Sequence, residues 1–174
     1  TLAITITASC NATTLFNPAH HSYFCLDDSN DVRSHEIRIV ADHYLPVNDQ
    51  AIPTGEIATV TGTRFDLRIP SLIGDAGFDH NFCLGTARGP LRRVANVRST
   101  KSGVAMQVAT TEPGLQFYTG HKLGPPVPGL IKKLYGPFSG FCLEPQIWPD
   151  APNNPHFPSA LLQPESIYRQ QTTF

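Results

Sequence analysis

From its second residue the chain alternates between apolar and small polar positions. Leu2, Ile4, Ile6 and Ala8 fall on one side of a period-two pattern and Ala3, Thr5 and Thr7 on the other, which predicts a half-buried strand over Leu2–Ala8. Alternation and enrichment in Val and Ile predict further strands over Glu36–Ala41, Ile57–Val60, Asn81–Leu84, Leu91–Ser99, Val104–Thr110, Leu115–Thr119, Phe141–Glu144 and Ile167–Phe174. Thr100-Lys101-Ser102-Gly103 links two of these as a hairpin, because Gly supplies the positive φ that such turns require. No window of ten or more residues combines a 3.6-residue apolar period with end caps, so helix is expected to be minor. Gly120–Pro137 and Gln146–Pro158 follow neither period and are expected to be surface loops, of the long kind that often carries function in β-folds.

One stretch breaks the apolar logic. Phe141-Cys142-Leu143 predicts a short buried strand, yet Glu144 follows at once, and a carboxylate there is costly unless something polar or catalytic uses it. The proline-rich continuation to Pro158 cannot supply ladder hydrogen bonds and should form a rigid loop, one wall of a cleft with Glu144 in its floor.

Composition narrows the class. At 174 residues the chain has room for one core, and no repeat or linker divides it, so a single β-domain over 1–174 is expected. An apolar share of 40% with 16% charged residues excludes disorder, and 13 Gly with 16 Pro suit many strands joined by turns. A net charge of -1 offers no electrostatic footprint for nucleic acid or an anionic membrane surface. No apolar run approaches the ~18 residues of a membrane helix. Thr1 opens no signal-peptide pattern and no initiating Met precedes it, so the expectation is a chain incomplete at its N-terminus. Cys10, Cys25, Cys83 and Cys142 are widely spaced with no C-x-x-C pair, which predicts buried free thiols, no metal and a reducing, cytoplasmic location.

The candidate chemistry is spread along the chain. His20-His21-Ser22-Tyr23-Phe24 is either a hairpin corner with an incidental His pair or part of a site. Asp79 beside His80 is either a strand-end cap or a functional acid, and Leu115-Gln116-Phe117-Tyr118-Thr119-Gly120 is a strand whose side chains face opposite ways. Each is weak alone. Taken in order, Asn17 to Leu26, Ala41 to Phe65, Gly77 to Phe82, Leu115 to Gly120 and Gly140 to Pro158 with Ser159 to Thr173 resemble the C-terminal part of the galactose mutarotase (aldose 1-epimerase) family over nearly the whole chain.

The resemblance implies an all-β fold, a many-stranded β-sandwich (supersandwich), with a monosaccharide bound in a cleft on one sheet. It implies Glu144 as general base, His21 as general acid and Asp79 as a ligand of sugar hydroxyls, with Tyr23 and Gln116 as further substrate contacts. It also implies an Arg and a second His upstream of Thr1, from a missing N-terminal half or a partner chain. The chemistry suits these residue types. Interconverting α- and β-anomers needs a base at the C1 hydroxyl and an acid at the ring oxygen, expected on opposite sides of the ring. Carboxylates raised by burial and histidines that change charge near neutrality fit those roles. No cofactor is needed, because the open-chain sugar is itself the intermediate. Trp148 is a candidate to pack on the sugar, whereas Phe82 and Phe117 suit the core. Two departures from the family stand out: His20 in place of an Asn, and Pro145 directly after the base. The alternatives are a non-catalytic carbohydrate-binding module and a hexose-6-phosphate 1-epimerase, with Arg64, Arg68, Lys132 and Lys133 as phosphate candidates.

Overall fold

The alternating segments assemble into two layers. The computed structural model describes residues 1–129 and 132–174. In chain order the strands are β1 (Ala3–Ala8), β2 (Thr14–Leu15), β3 (Tyr23–Phe24), β4 (His35–Ile39), β5 (His43–Tyr44), β6 (Ala58–Thr59), β7 (Ser71–Leu72) and β8 (Asp79–Cys83). They continue as β9 (Arg92–Ser99), β10 (Ala105–Thr110), β11 (Gly114–Tyr118), β12 (Val127–Pro128), β13 (Leu134–Tyr135), β14 (Phe141–Gln146), β15 (Leu161–Leu162) and β16 (Tyr168–Thr173). The first sheet runs β1-β16-β10-β9-β4-β7 and the second β3-β14-β11-β8-β5-β6, with β12-β13 and β15-β2 as small antiparallel ladders. The only helical elements among the described residues are two short 3-10 turns, Val32–Ser34 and Ala151–Asn153.

The inner faces of the two sheets share one core. Ile37, Ile39, Val97 and Val108 from the first sheet meet Phe82, Leu115, Phe117, Phe141 and Leu143 from the second. Polar contact also crosses the layers, since Gln170 Nε2 donates to Pro145 O at 2.6 Å. Pro145 is tolerated inside β14 because β3 pairs only with Phe141 and Cys142, so its absent N–H leaves no neighbouring strand unserved. In β9, Val94 and Ala95 are both buried although adjacent, and the register against β10 shifts between Val108 and Ala109, the mark of a β-bulge.

The chain passes from the first sheet to the second between β10 and β11, and a buried ion pair holds that corner. Glu112 is fully buried, and both its oxygens accept from Arg88 Nε, at 2.9 and 3.1 Å. Arg88 in turn lies 4.1 Å over the Tyr168 ring. Burial raises the Glu112 carboxyl above its ordinary range, and Arg88 opposes the shift.

The expected loops are more ordered than their sequences imply. Gly120–Pro137 contains the β12-β13 ladder, and Leu130 and Ile131 within it lie outside the described residues. Gln146–Pro158 is not a surface strap, because Ile147, Trp148, Ala151 and Phe157 form a second small core with Leu45 and Ala160. Asn17 clamps its start, accepting from Ile147 N at 2.8 Å and donating to Ile147 O at 3.0 Å. All four cysteines are free, as their spacing predicts, but only Cys142 is fully buried. No helix of the described residues is long and apolar enough to cross a membrane.

Candidate active site

Strand alternation sorts the second sheet into an inner and an outer set. Along β14, Phe141, Leu143 and Pro145 face the core while Cys142, Glu144 and Gln146 face outward; β11 divides into Leu115 and Phe117 against Gln116 and Tyr118. In β8 the core side holds His80 and Phe82, and the outer side Asp79, Asn81 and Cys83. The register then aligns rows across the strands. Glu144 pairs with Gln116 and Gln116 with Asn81; one step along, Cys142 pairs with Tyr118 and Tyr118 with Asp79. All of these residues except the buried Cys142 form the floor of a cavity of about 310 Å³, small on the scale of ligand sites. Leu45, Val47, Ala51, Pro53 and Pro149 supply its walls, and His21 reaches in from the segment before β3.

His21 Nε2 lies 3.7 Å from Glu144 Oε1. Burial pushes the Glu144 carboxyl up to about 7; His21 lowers it and Asp79 raises it further. The carboxylate therefore takes and returns protons near neutrality. Asp79 is fixed from both sides, Oδ1 accepting from Gln116 Nε2 at 2.9 Å and Oδ2 from Lys122 Nζ at 3.0 Å. Two buried acceptors on residues that line the cavity, Gln116 Oε1 and Asn81 Oδ1, have no partner among the described residues. Sugar hydroxyls are donors of the kind these atoms lack.

Four of the five expected site residues, Glu144, His21, Asp79 and Gln116, thus line one cavity, and Tyr23 does not. Tyr23 sits behind His21, stacked on its ring at 5.3 Å, and faces a neighbouring depression. Trp148 also departs from expectation. Its ring is buried among the loop residues and its Nε1 donates to Pro113 O at 2.9 Å, so it cannot offer a face to a sugar. Phe82 and Phe117 are core residues, as expected. His80 is no partner in catalysis for Asp79: it points into the core beside Phe65, and burial drives its ring down to about 4. His20 turns away from His21 towards Phe24 and Phe174.

None of the four basic residues considered for a phosphate lines the cavity. Arg68 is ion-paired with Asp66 and Asp42, and Arg64 donates to Gly77 O while lying over Phe65 and Phe78. Lys133 Nζ donates to Asp28 O at 3.4 Å. The site also includes Asn81 and Tyr118, which line the cavity, and Lys122, which pairs with Asp79. Asn81 and Tyr118 each stand two residues beyond a site residue, so strand alternation alone places them on the same face.

Gly114 lets Asn81 lean across β11. A Cβ there would collide with Asn81 Oδ1 and come within 2.9 Å of Trp148 Cδ1 and 3.0 Å of Gln146 O. Gly114→Ala is expected to lose about 1–3 kcal/mol of stability by overpacking, a shift measurable as the urea midpoint. An unchanged midpoint would mean the strands part freely at this point.

Comparison with known proteins gives a consistent picture. A family model described as aldose 1-epimerase matches residues 1–174. Galactose mutarotase of Bos taurus is 46% identical over 182 positions, covering 99% of this chain and 53% of that protein. Aldose 1-epimerase of Escherichia coli is 35% identical over 188 positions, covering 99% of this chain and 54% of that protein. Among solved structures, a GalM/aldose epimerase homologue from C. elegans superposes with a TM-score of 0.89 at 29% identity, over 98% of this chain and 54% of that one. Galactose 1-epimerase from Lactobacillus acidophilus gives 0.78 at 25% identity, over 98% and 51%. The chain spans about half the length of the curated relatives it matches.

Proposed function

The chain belongs to the aldose 1-epimerase family, and from that membership and the geometry of the cleft we propose that it interconverts the α- and β-anomers of a hexose such as galactose or glucose. The observation that carries the proposal is the placing of His21 Nε2 3.7 Å from Glu144 Oε1 above a floor of hydroxyl-binding groups. An acid and a base side by side suit this reaction better than a pair flanking the ring, because the two oxygens they must serve are bonded to the same carbon, C1.

The steps follow from that placement. Glu144 takes the proton of the C1 hydroxyl while His21, as imidazolium, gives its proton to the ring oxygen. The bond between C1 and the ring oxygen breaks, leaving an aldehyde and a free C5 hydroxyl. After rotation about C1–C2, the C5 hydroxyl attacks the other face of the carbonyl carbon. Its proton returns to His21, the carbonyl oxygen takes the proton held by Glu144, and both groups are restored. Asp79, Gln116 and Asn81 hold the remaining hydroxyls so that only the C1 end moves. Tyr23 braces the His21 ring by stacking.

Other parts of the reading have narrower support. An Arg and a second His from outside residues 1–174 would complete the sugar's contacts, consistent with relatives about twice as long. Four free thiols accord with a reducing, cytoplasmic setting.

Polarimetry on fresh α-galactose tests the proposal: the chain should speed the approach to anomeric equilibrium, and sugar binding without acceleration would leave only a carbohydrate-binding module. The pH profile is a second test. Glu144 must be ionised to act and is raised to about 7. The rate should therefore fall about tenfold from pH ~8 to pH ~6 with a chelator present. A flat profile across that range would remove Glu144 from the role of base.

A further inference from the structure

A third donor lies under the acid–base pair. Cys142 precedes Glu144 by two residues on β14 and so shares its face of the strand. One nitrogen of His21, the sulfur of Cys142 and one oxygen of Glu144 all lie within 4.8 Å of one another. The 3.7 Å between His21 Nε2 and Glu144 Oε1 is near the edge length of a tetrahedron whose ligands stand about 2.0–2.3 Å from a central cation. Neither atom is engaged in a hydrogen bond among the described residues. The His21 side chain is 53% exposed, so a cation has a path from solvent.

A second trio of similar composition, Cys25, Asp27 and His35, shows what a spent cluster looks like. Asp27 Oδ2 accepts from Ser99 Oγ at 2.6 Å and Oδ1 from Ser29 N at 2.8 Å. His35 Nε2 accepts from Leu26 N at 3.0 Å, and the ring is fully buried. Its carboxylate and His35 Nε2 are thus already engaged, whereas Glu144 accepts no hydrogen bond among the described residues and His21 is exposed, with Cys142 buried beneath them.

We propose that His21, Cys142 and Glu144 form a binding site for a borderline-soft divalent cation of the zinc type, which seats itself at the acid–base pair and reversibly blocks the sugar. The site offers nitrogen, sulfur and oxygen ligands with a fourth position facing the cleft, a set that favours zinc-like ions over Mg²⁺ or Ca²⁺. Binding forms three coordination bonds, and the thiol proton is released to solvent without any change of oxidation state. Inhibition rests on the epimerase reading; the cation site rests on donor geometry alone.

Co²⁺ titrated into the full chain tests it. The expected result is one equivalent bound, a thiolate-to-cobalt charge-transfer absorption, displacement by Zn²⁺ and no competition from Mg²⁺. Cys142→Ser should abolish the absorption, with circular dichroism confirming the fold. His21→Ala alters an exposed side chain and should keep the absorption while weakening Co²⁺ binding at least tenfold, which decides the matter should Cys142→Ser fail to fold. An absorption that survives Cys142→Ser, or an unchanged Co²⁺ affinity in His21→Ala, overturns the site. In polarimetry Zn²⁺ should slow the wild type and EDTA should restore it. A chain with no metal-free activity that still gives the absorption would overturn the epimerase reading and leave the cation site standing.

Discussion

Glu144→Gln should slow anomer interconversion by about three orders of magnitude, the range expected for loss of a positioned general base, while the protein keeps its fold and its affinity for sugar within a fewfold. The amide has nearly the shape of the carboxylate but cannot accept a proton, so the C1 hydroxyl has no base. The same substitution should make the protein harder to melt. In the folded chain burial has raised this carboxyl from 4.5 to about 7. A group raised in this way contributes its stability below about pH 4.5 and loses it as the pH climbs through about 7. At pH ~8 the wild type thus carries a penalty on the order of 3 kcal/mol that the variant lacks. The variant should melt higher at pH ~8 and about equally at pH ~4. A variant that turns over normally would place the base elsewhere. One that is slow and also less stable would trace the loss to misfolding.

Arg88→Ala should be the most destabilising surface-accessible change, at about 3–5 kcal/mol, because it strands a buried carboxylate without its partner. Glu112 has no exposure to solvent with which to compensate, and the guanidinium supplies both close hydrogen bonds to its oxygens. The loss should shrink as the pH falls, because burial raises the Glu112 carboxyl and, once unpaired, it takes up a proton and ceases to be a buried charge. Replacing both partners, as Arg88→Met with Glu112→Leu, should recover much of the stability, since the geometry then holds no unpaired group. Urea unfolding of the three variants separates these cases. Additive losses in the double variant would show that the two side chains act independently. Because this corner launches β11, Arg88→Ala should also loosen Gln116 and Tyr118, and a weaker sugar affinity would register it.

Period-two patterning and apolar enrichment are enough to find all eight strands longer than two residues, because each runs over at least five positions. These signals cannot find β3 or β5, whose two residues carry no period; they are strands because β14 and β8 offer them partners. His21, Glu144 and Asp79 are candidates through the resemblance, and alternation explains why Glu144 and Gln116 face the same way. Tyr23 lies outside the cavity because it sits in a two-residue strand, where nothing local says which way a ring turns. Trp148 lies outside it for a different reason. Its loop packs through an indole hydrogen bond and aperiodic apolar contacts, which proline content hides. Lys122 lies in the turn after β11, and its contact with Asp79 spans 43 residues, beyond any local pattern.

The cross-strand rows that make the cleft also fix where the chain can change length. Deleting one residue from β8, β11 or β14 would turn Leu115, Phe117 or Leu143 towards water and drive Gln116 or Glu144 into the core. Such deletions should yield no soluble protein. Gly120 to Gly124, which begins a turn at the end of β11, should accept an added residue with the fold intact. Natural variation in this family of shapes should therefore gather its insertions at the rim of the cleft and leave its floor counted residue by residue.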